Sequence, residues 1–288
     1  MFDLTPDPIA FQIGPFPVHW YGIAYAVGLT AVYFVVTWLA RRAGRNADLV
    51  NNAIIIVAAA ALLGGRLYHV IDQWHLYRDN PASIFLPPYS GLGVYGGIAT
   101  GTLAGWWYFV VRHREPFGVW ADIIAPGLFV MQSIGRWGNF FNQELYGPPT
   151  TLPWGIPIDC AHRVAQFSCD TLPEATTRFH PLFLYESISG ALGALFLVFL
   201  FLRYRDRLRP GSLLMIFFIW YGVVRFALEA LRQNNWIVFG IPTAQIVSAI
   251  VIAVGVVGLV WLNRPRSASD ASRRRPTDSA ASDLPPPA

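Results

Sequence analysis

Lysine is missing from this chain: all 21 basic side chains are arginines. Charge of either sign is scarce too, at 13% of residues, where an ordinary soluble domain carries about 25%. With 54% of residues hydrophobic, a conventional soluble fold is excluded. A net charge of +4 would suit a nucleic-acid partner, but the basic residues gather into no single patch, so no nucleic acid is expected. The opening stretch MFDLTPDPIAFQIGPFP has no basic region, so it does not read as a cleaved signal peptide. The first apolar run is therefore expected to be a retained span. No metal-ligand cluster, no phosphate-cradling glycine loop and no Ser-His-Asp arrangement is legible, and neither metal nor cofactor is expected.

What the chain has is long apolar runs. A hydrocarbon core roughly 30 Å thick takes about 20 residues of apolar helix. Seven runs read as spans, at roughly 19–40, 50–72, 92–111, 118–135, 182–202, 211–232 and 241–262. The segments after the odd-numbered runs carry Arg41, Arg42 and Arg45, then Arg112 and Arg114, then Arg203, Arg205, Arg207 and Arg209, then Arg264, Arg266, Arg273, Arg274 and Arg275. These are 14 of the 21 arginines. Short cytoplasmic loops are enriched in arginine, so this distribution predicts the N-terminus outside and the C-terminus in the cytoplasm. The expected fold class is an all-α polytopic membrane protein with about seven transmembrane helices. Its expected parts are an external segment at 1–18, a seven-helix domain at 19–262 with an external loop at about 136–181, and a disordered cytoplasmic tail at 263–288. No convincing internal repeat is present.

Seven arginines remain. Arg78, Arg163 and Arg178 fall in outside loops, where water can solvate them. Arg66, Arg136, Arg225 and Arg232 lie within or at the ends of apolar spans. A charge at the bilayer centre costs at least about 2.5–3.5 kcal/mol on insertion scales, which makes such residues functional candidates. In WYGVVRFALEALR, the side chains of Tyr221, Arg225, Glu229 and Arg232 share one helix face. Two arginines against one glutamate leave surplus positive charge, as an anion site requires. A stripe that merely joins helices by ion pairs would have the same spacing.

A second concentration is IGRWGNFFNQELYG, with Arg136, the amides of Asn139, Asn142 and Gln143, and Glu144. Gly135, Gly138 and Gly147 allow close backbone approach. A guanidinium grips phosphate with a planar fork, and amides can bond glycerol hydroxyls. A re-entrant loop without a substrate is the alternative. Under the same topology Arg66 in GGRLYH, Tyr25 in WYGIAY, and His180, Tyr185 and Glu186 in RFHPLFLYES reach the outer leaflet too. A lone histidine or tyrosine there is often an interfacial anchor. A glutamate inside an apolar run is harder to dismiss.

These stretches resemble the prolipoprotein diacylglyceryl transferase family, over nearly the whole chain from HWYGIAY to IPTAQIVS. GRWGNFFNQELYG is the most specific, and HPLFLYE and YGVVRFALEALR match two further family blocks in order. The resemblance implies an enzyme, a transferase of the bacterial cytoplasmic (inner) membrane. It would move the diacylglyceryl group of phosphatidylglycerol onto the lipobox cysteine thiol of a preprolipoprotein, forming a thioether and releasing glycerol phosphate. The implied partners are phosphatidylglycerol, preprolipoprotein signal peptides and the lipid bilayer. Arg136 matches the essential signature arginine that contacts the lipid phosphate, with Asn139, Glu144 and Gly147 as its signature partners. Arg225 and Glu229 match the second essential arginine and its nearby acid. Tyr25 matches an important tyrosine. One departure stands out: in SGLGVYGGI, Tyr95 replaces the histidine of the His-Gly-Gly motif of many members, followed here by Gly96 and Gly97. A tyrosine with a pKa near about 10 is a poor base at neutral pH, so a mechanism resting on that histidine is in doubt here.

The residues by themselves suit the same chemistry. A thiol of pKa about 8.5 is activated by positive charge, and arginines also stabilise a leaving phosphate. The candidate catalytic set is Arg136, Arg225, Glu229 and Glu186. Asn139, Asn142, Glu144, Gly147, Tyr25, Arg66, Tyr95, Gly96, Tyr221 and Arg232 are candidates for binding substrate. Glu186, Glu229 and Glu144 all remain open as proton acceptor. Cys160 and Cys169 can pair as a disulfide in an oxidising compartment, with free thiols as the alternative. An anion transporter, a non-catalytic lipid-binding protein and an intramembrane protease are the rival classes. The first is disfavoured by the missing repeat, and the last by the lack of a Gly-x-Ser-x-Gly or paired-aspartate motif.

Overall fold

The computed structural model describes residues 5–84, 91–232 and 235–264. The expected tail therefore falls, beyond Arg264, outside the described residues. The chain enters through an antiparallel hairpin of β1 (Ile9–Ile13) and β2 (Phe16–His19). Its turn is made at Gly14, whose φ of +58° suits a residue without a Cβ. Helices follow as α1 (Trp20–Arg42), α2 (Leu49–Asp72), α3 (Val94–Trp106), α4 (Phe117–Phe141), α5 (Leu182–Tyr204), α6 (Ser212–Glu229) and α7 (Thr243–Leu262). A second small hairpin, β3 (Ile237–Val238) and β4 (Ile241–Pro242), joins α6 to α7.

Six of these helices are long and apolar enough to cross a membrane. The remaining one, α3, has 13 residues and reaches Arg112 only through a π-helical continuation, Trp107–Arg112. Two expected boundaries move. Helix α4 runs on through Phe141, so Arg136 and Asn139 stand on its last turns and not in the loop expected from about 136. Helix α6 stops at Glu229, so Arg232 lies just past it.

Helix α4 is the central element, packed along α1 and α5 and touching α6, while α2 pairs with α3 and α6 with α7. Trp120, Ile123 and Phe129 of α4 meet Leu39, Leu197 and Leu213 in the main core. Between helices in lipid, close packing and hydrogen bonds replace the hydrophobic drive. Ser187 Oγ of α5 donates to the Ser133 carbonyl of α4 at 2.8 Å, and Thr100 Oγ1 of α3 to the Ala60 carbonyl of α2 at 2.7 Å. Asp122 of α4 closes the start of α6 from outside: its carboxylate accepts from the backbone N–H groups of Gly211 (2.8 Å), Leu213 (2.8 Å) and Leu214 (3.1 Å).

Gly96, a candidate for binding substrate, makes a tight packing contact. A Cβ there would stand 2.3 Å from the Gly64 carbonyl oxygen and 2.4 Å from the Tyr68 Cβ. Gly96→Leu should force α2 from α3 and destabilise the pair by about 1–3 kcal/mol, as overpacking does. A melting temperature in detergent equal to that of the unaltered protein would refute this contact.

Both hairpins and the long 142–181 segment lie at one end of the bundle, here the loop end. The short arginine-rich connections lie at the other, the arginine end. The long segment has its own core of Tyr146, Ile156, Ile158, Phe167, Phe179 and Phe183. Cys160 and Cys169 are joined as a disulfide within it, which decides between the two states the sequence left open. Arg163 and Arg178 are more than solvated surface charges. Arg163 donates to the carbonyls of Ile158 and Leu172 and covers the Phe179 ring, and Arg178 donates to the Thr177 and Ala175 carbonyls. Gln143 is likewise structural, donating to the Pro6 carbonyl (3.2 Å) and to Asp159 (2.8 Å). Burial alone would raise the Asp159 carboxyl, but hydrogen bonds from His162 and Gln143 outweigh it and hold that group below the ordinary carboxylate range.

Candidate active site

The last turns of α4 carry Arg136 and Asn139 at helical spacing, so both project to one side. Arg136 Nη1 donates to Asn139 Oδ1 at 3.3 Å, and its Nη2 pairs with the buried Glu186 carboxylate of α5. Asn139 is itself buried, and its Nδ2 donates to Glu144 Oε1 at 2.7 Å. The result is a chain of contacts from Glu186 through Arg136 and Asn139 to Glu144. Three parts of the sequence, up to 50 residues apart, meet here. Glu144 is exposed, so the chain runs from the buried interior to the surface.

On α6, Arg225 pairs with the buried Glu229 one turn later. Arg232, past the end of that helix, lies within electrostatic reach of Arg225, Glu186, Arg136 and Glu229. The two concentrations read separately in the sequence are thus one cluster. Arg136 and Arg225 are each matched by a glutamate, while Arg232 makes no ion pair among the described residues. Arg136 and Arg225 each meet a carboxylate directly, the third carboxylate, Glu144, is exposed and bonded to Asn139, and Arg232 is left without an ion pair among the described residues in a half-buried setting, where an anion is favoured.

Tyr21 of α1 borders this cluster, within electrostatic reach of Glu144 and Arg136, and stacks on Tyr25 at 5.2 Å between ring centres. Sequence reasoning named Tyr25 and missed Tyr21. The signal for Tyr21 was Gly138, where a Cβ would stand 2.6 Å from the Tyr21 ring. Gly147 has a similar packing reason, since a Cβ would meet the His180 Cβ at 2.8 Å, and its N–H donates to the His180 carbonyl at 2.9 Å. Beside it Trp154 Nε1 donates to the Tyr185 hydroxyl (2.8 Å), which also bonds His180 Nδ1 (3.0 Å). Trp154 gave no signal in the sequence, because its partner lies 31 residues away.

The other candidates make contacts of their own. Arg66 donates to the Tyr77 hydroxyl (3.1 Å) and to the Gly91 and Ile84 carbonyls, and lies over the Tyr77 ring. These bonds tie down the α2–α3 connection. Tyr221 stacks on Phe217 and packs against the main core. Asn142 ends α4, its N–H bonded to the Gly138 carbonyl. Tyr95 is 53% exposed, its ring tilted against Tyr68, and its hydroxyl makes no hydrogen bond among the described residues. A groove of about 230 Å³ between α1 and α4 runs beside the cluster, walled by Trp20, Ile23, Val27, Ile134, Trp137 and Phe141.

A family model for prolipoprotein diacylglyceryl transferase matches residues 8–261 of the chain. The chain is 36% identical over 261 residues to a phosphatidylglycerol--prolipoprotein diacylglyceryl transferase from Nostoc sp., covering 90% of each chain. It is 37% identical over 269 residues to the protein of that name from Gloeobacter violaceus, covering 93% of this chain and 97% of that one. A third, from Bifidobacterium longum subsp. infantis, is 36% identical over 268 residues, covering 90% and 84% respectively.

Proposed function

The chain belongs to the prolipoprotein diacylglyceryl transferase family, and on that premise we propose how its own residues carry the transfer from phosphatidylglycerol to a prolipoprotein. The observation that carries the reading is a guanidinium with no ion pair among the described residues: Arg232 stands beside two arginines already matched by glutamates. A phospholipid phosphate supplies the direct partner that Arg232 lacks. Arg136 uses two of its five N–H donors on Glu186 and Asn139 and keeps others for the phosphate oxygens. The α1–α4 groove takes an acyl chain, its wall being almost wholly apolar.

The acceptor is the lipobox cysteine thiol of a preprolipoprotein signal peptide. Its sulfur attacks the glycerol carbon that bears the phosphate. The carbon–sulfur bond forms as the carbon–oxygen bond breaks, and the electron pair leaves with glycerol phosphate. The arginines stabilise the charge that gathers on that oxygen. The thiol proton passes to Glu144, the acid of the three that is exposed and bound to no arginine. Glu186 and Glu229 serve to orient Arg136 and Arg225. The protein lies in the bacterial cytoplasmic (inner) membrane with its N-terminus and the loop end outside and the arginine end in the cytoplasm. That orientation follows from arginine distribution and presents the site to the outer leaflet.

The experiment is to mix purified protein with phosphatidylglycerol and a lipobox peptide and to record the peptide mass. A diacylglyceryl adduct with release of glycerol phosphate is the expected result. Lipid binding with no adduct would refute catalysis. Tyr95→Phe should keep most turnover and the shape of its pH profile, because the hydroxyl bonds to nothing among the described residues and the ring still lies against Tyr68. Loss of turnover with lipid binding intact would make Tyr95 a chemical participant.

A further inference from the structure

A second concave site lies at the arginine end of the bundle. It is a cavity of about 410 Å³ between the start of α2 and the π-helical segment. Asn52, Trp107, Tyr108, Arg112 and His113 line it, together with two isoleucines of α2. Helix α4 begins four residues after His113 and carries Arg136 near its far end. At 1.5 Å per residue the two sites stand roughly 30 Å apart along that helix, so this one is separate from the transfer site.

Its lining has the chemistry of a phosphate site. Arg112 makes no ion pair or hydrogen bond among the described residues. The acid nearest to it in sequence, Glu115, is occupied by Arg45 (3.5 Å) and by Trp120 Nε1 (3.0 Å). None of the lining residues is acidic. Tyr108 is 4% exposed, and its hydroxyl has no hydrogen-bond partner among the described residues. A buried donor left unmade carries a desolvation cost, so an acceptor is wanted there. The π turn closes with the His113 N–H on the Tyr108 carbonyl at 3.2 Å, and the His113 ring lies 4.6 Å from the Tyr108 ring. That wide turn sets Tyr108, Arg112 and His113 together, where regular α-helical spacing would separate Tyr108 from His113. Single π turns often mark functional sites. The flanks are apolar and face outward, with Ile55 at 69% and Trp107 at 48% exposed.

We propose that this cavity binds one anionic phospholipid from the leaflet at the arginine end. Arg112 and His113 hold the phosphate, a small turn of the His113 ring admits an oxygen to the Tyr108 hydroxyl, and the acyl chains lie along Ile55 and Trp107. The site selects an anionic over a zwitterionic headgroup, because none of its lining residues is a carboxylate that could pair with an amine. It depends in no way on the transfer reaction.

Native mass spectrometry of the full chain tests this, after delipidation and titration with phosphatidylglycerol. Arg136→Gln together with Arg232→Gln serves as background, so that two of the three guanidiniums that draw a headgroup at the loop end are removed. One tightly held phosphatidylglycerol is expected to remain. Adding Arg112→Gln or Tyr108→Phe should weaken it by about tenfold or more, as loss of a hydrogen bond to a charged group does. Tyr108→Phe should melt no lower than its parent in lipid-free detergent, because it removes an unsatisfied hydroxyl, so weaker retention in that variant is not unfolding. Equal retention in both variants would overturn the proposal. So would displacement by phosphatidylcholine as effective as by phosphatidylglycerol. Displacement by an equal concentration of glycerol 3-phosphate would make it a free-phosphate site and overturn the lipid assignment.

Discussion

Arg136→Lys should lower turnover on the order of 100-fold, the usual cost of removing a positioned donor from a site of developing charge, although the positive charge is kept. Arg136 is a planar fork with separate duties for its two ends: one nitrogen pairs with Glu186 of α5, the other donates to Asn139 on its own helix. An ammonium is a single point with three donors and cannot reach both partners and a phosphate in one plane. Lysine would also leave Glu186 facing a misplaced charge while 3% exposed, which is where an incomplete ion pair is most costly. The loss should therefore fall on kcat more than on lipid retention, since Arg225 and Arg232 still attract the headgroup. The lipobox-peptide assay reads the first quantity and phosphatidylglycerol titration reads the second. Turnover near that of the unaltered protein would remove Arg136 from the chemistry.

Asp122→Ala should destabilise the fold more than other single changes at the arginine end, by about 3–5 kcal/mol, since three N–H groups lose a charged acceptor at once. Helix α6 has no side-chain cap of its own, and its N-cap Gly211 sits at φ +99°. Asp122 of α4 takes that place from 89 residues away. In lipid, unsatisfied backbone donors find no water. Asp122→Asn should lie between the two, because its carbonyl oxygen still serves Leu213 and Leu214 while its amide confronts the Gly211 N–H. The melting temperature of Asp122→Ala in detergent is expected to fall on the order of 10 °C. Activity should fall with it, because Arg225 and Glu229 ride on α6. A melting curve unchanged in both variants would rule out this cap.

Arg136, Asn139, Glu144, Glu186, Arg225, Glu229 and Arg232 were all named from the sequence, and the structure brings them to one place. The charged ones within apolar spans were legible because a charge there is rare on energetic grounds alone, and Asn139 and Glu144 were legible from the stretch GRWGNFFNQELYG. Gly96, Arg66 and Tyr221 have packing or hydrogen-bonding contacts that the sequence does not show. A glycine that admits a neighbouring helix and a glycine that admits a ligand look identical in sequence. So do an arginine that binds phosphate and one that gathers the carbonyls of its own loop. Tyr21 lay one turn from the Tyr25 that was chosen, and only the place of Gly138 under its ring distinguishes them.

The sequence by itself determined the apolar helices, their alternation between arginine-rich and arginine-poor connections, and the charged groups placed within them. Those properties rest on transfer between water and lipid, which acts residue by residue and needs no partner. The Arg225–Glu229 pair, one turn apart on one helix, was already within reach of the sequence, but tertiary structure alone decided that Arg136 meets Glu186 across two helices and that Arg232 meets no carboxylate directly among the described residues. Pairing energy depends on distances of a few ångströms between segments tens of residues apart, and those distances are set by helix packing, which no local pattern encodes.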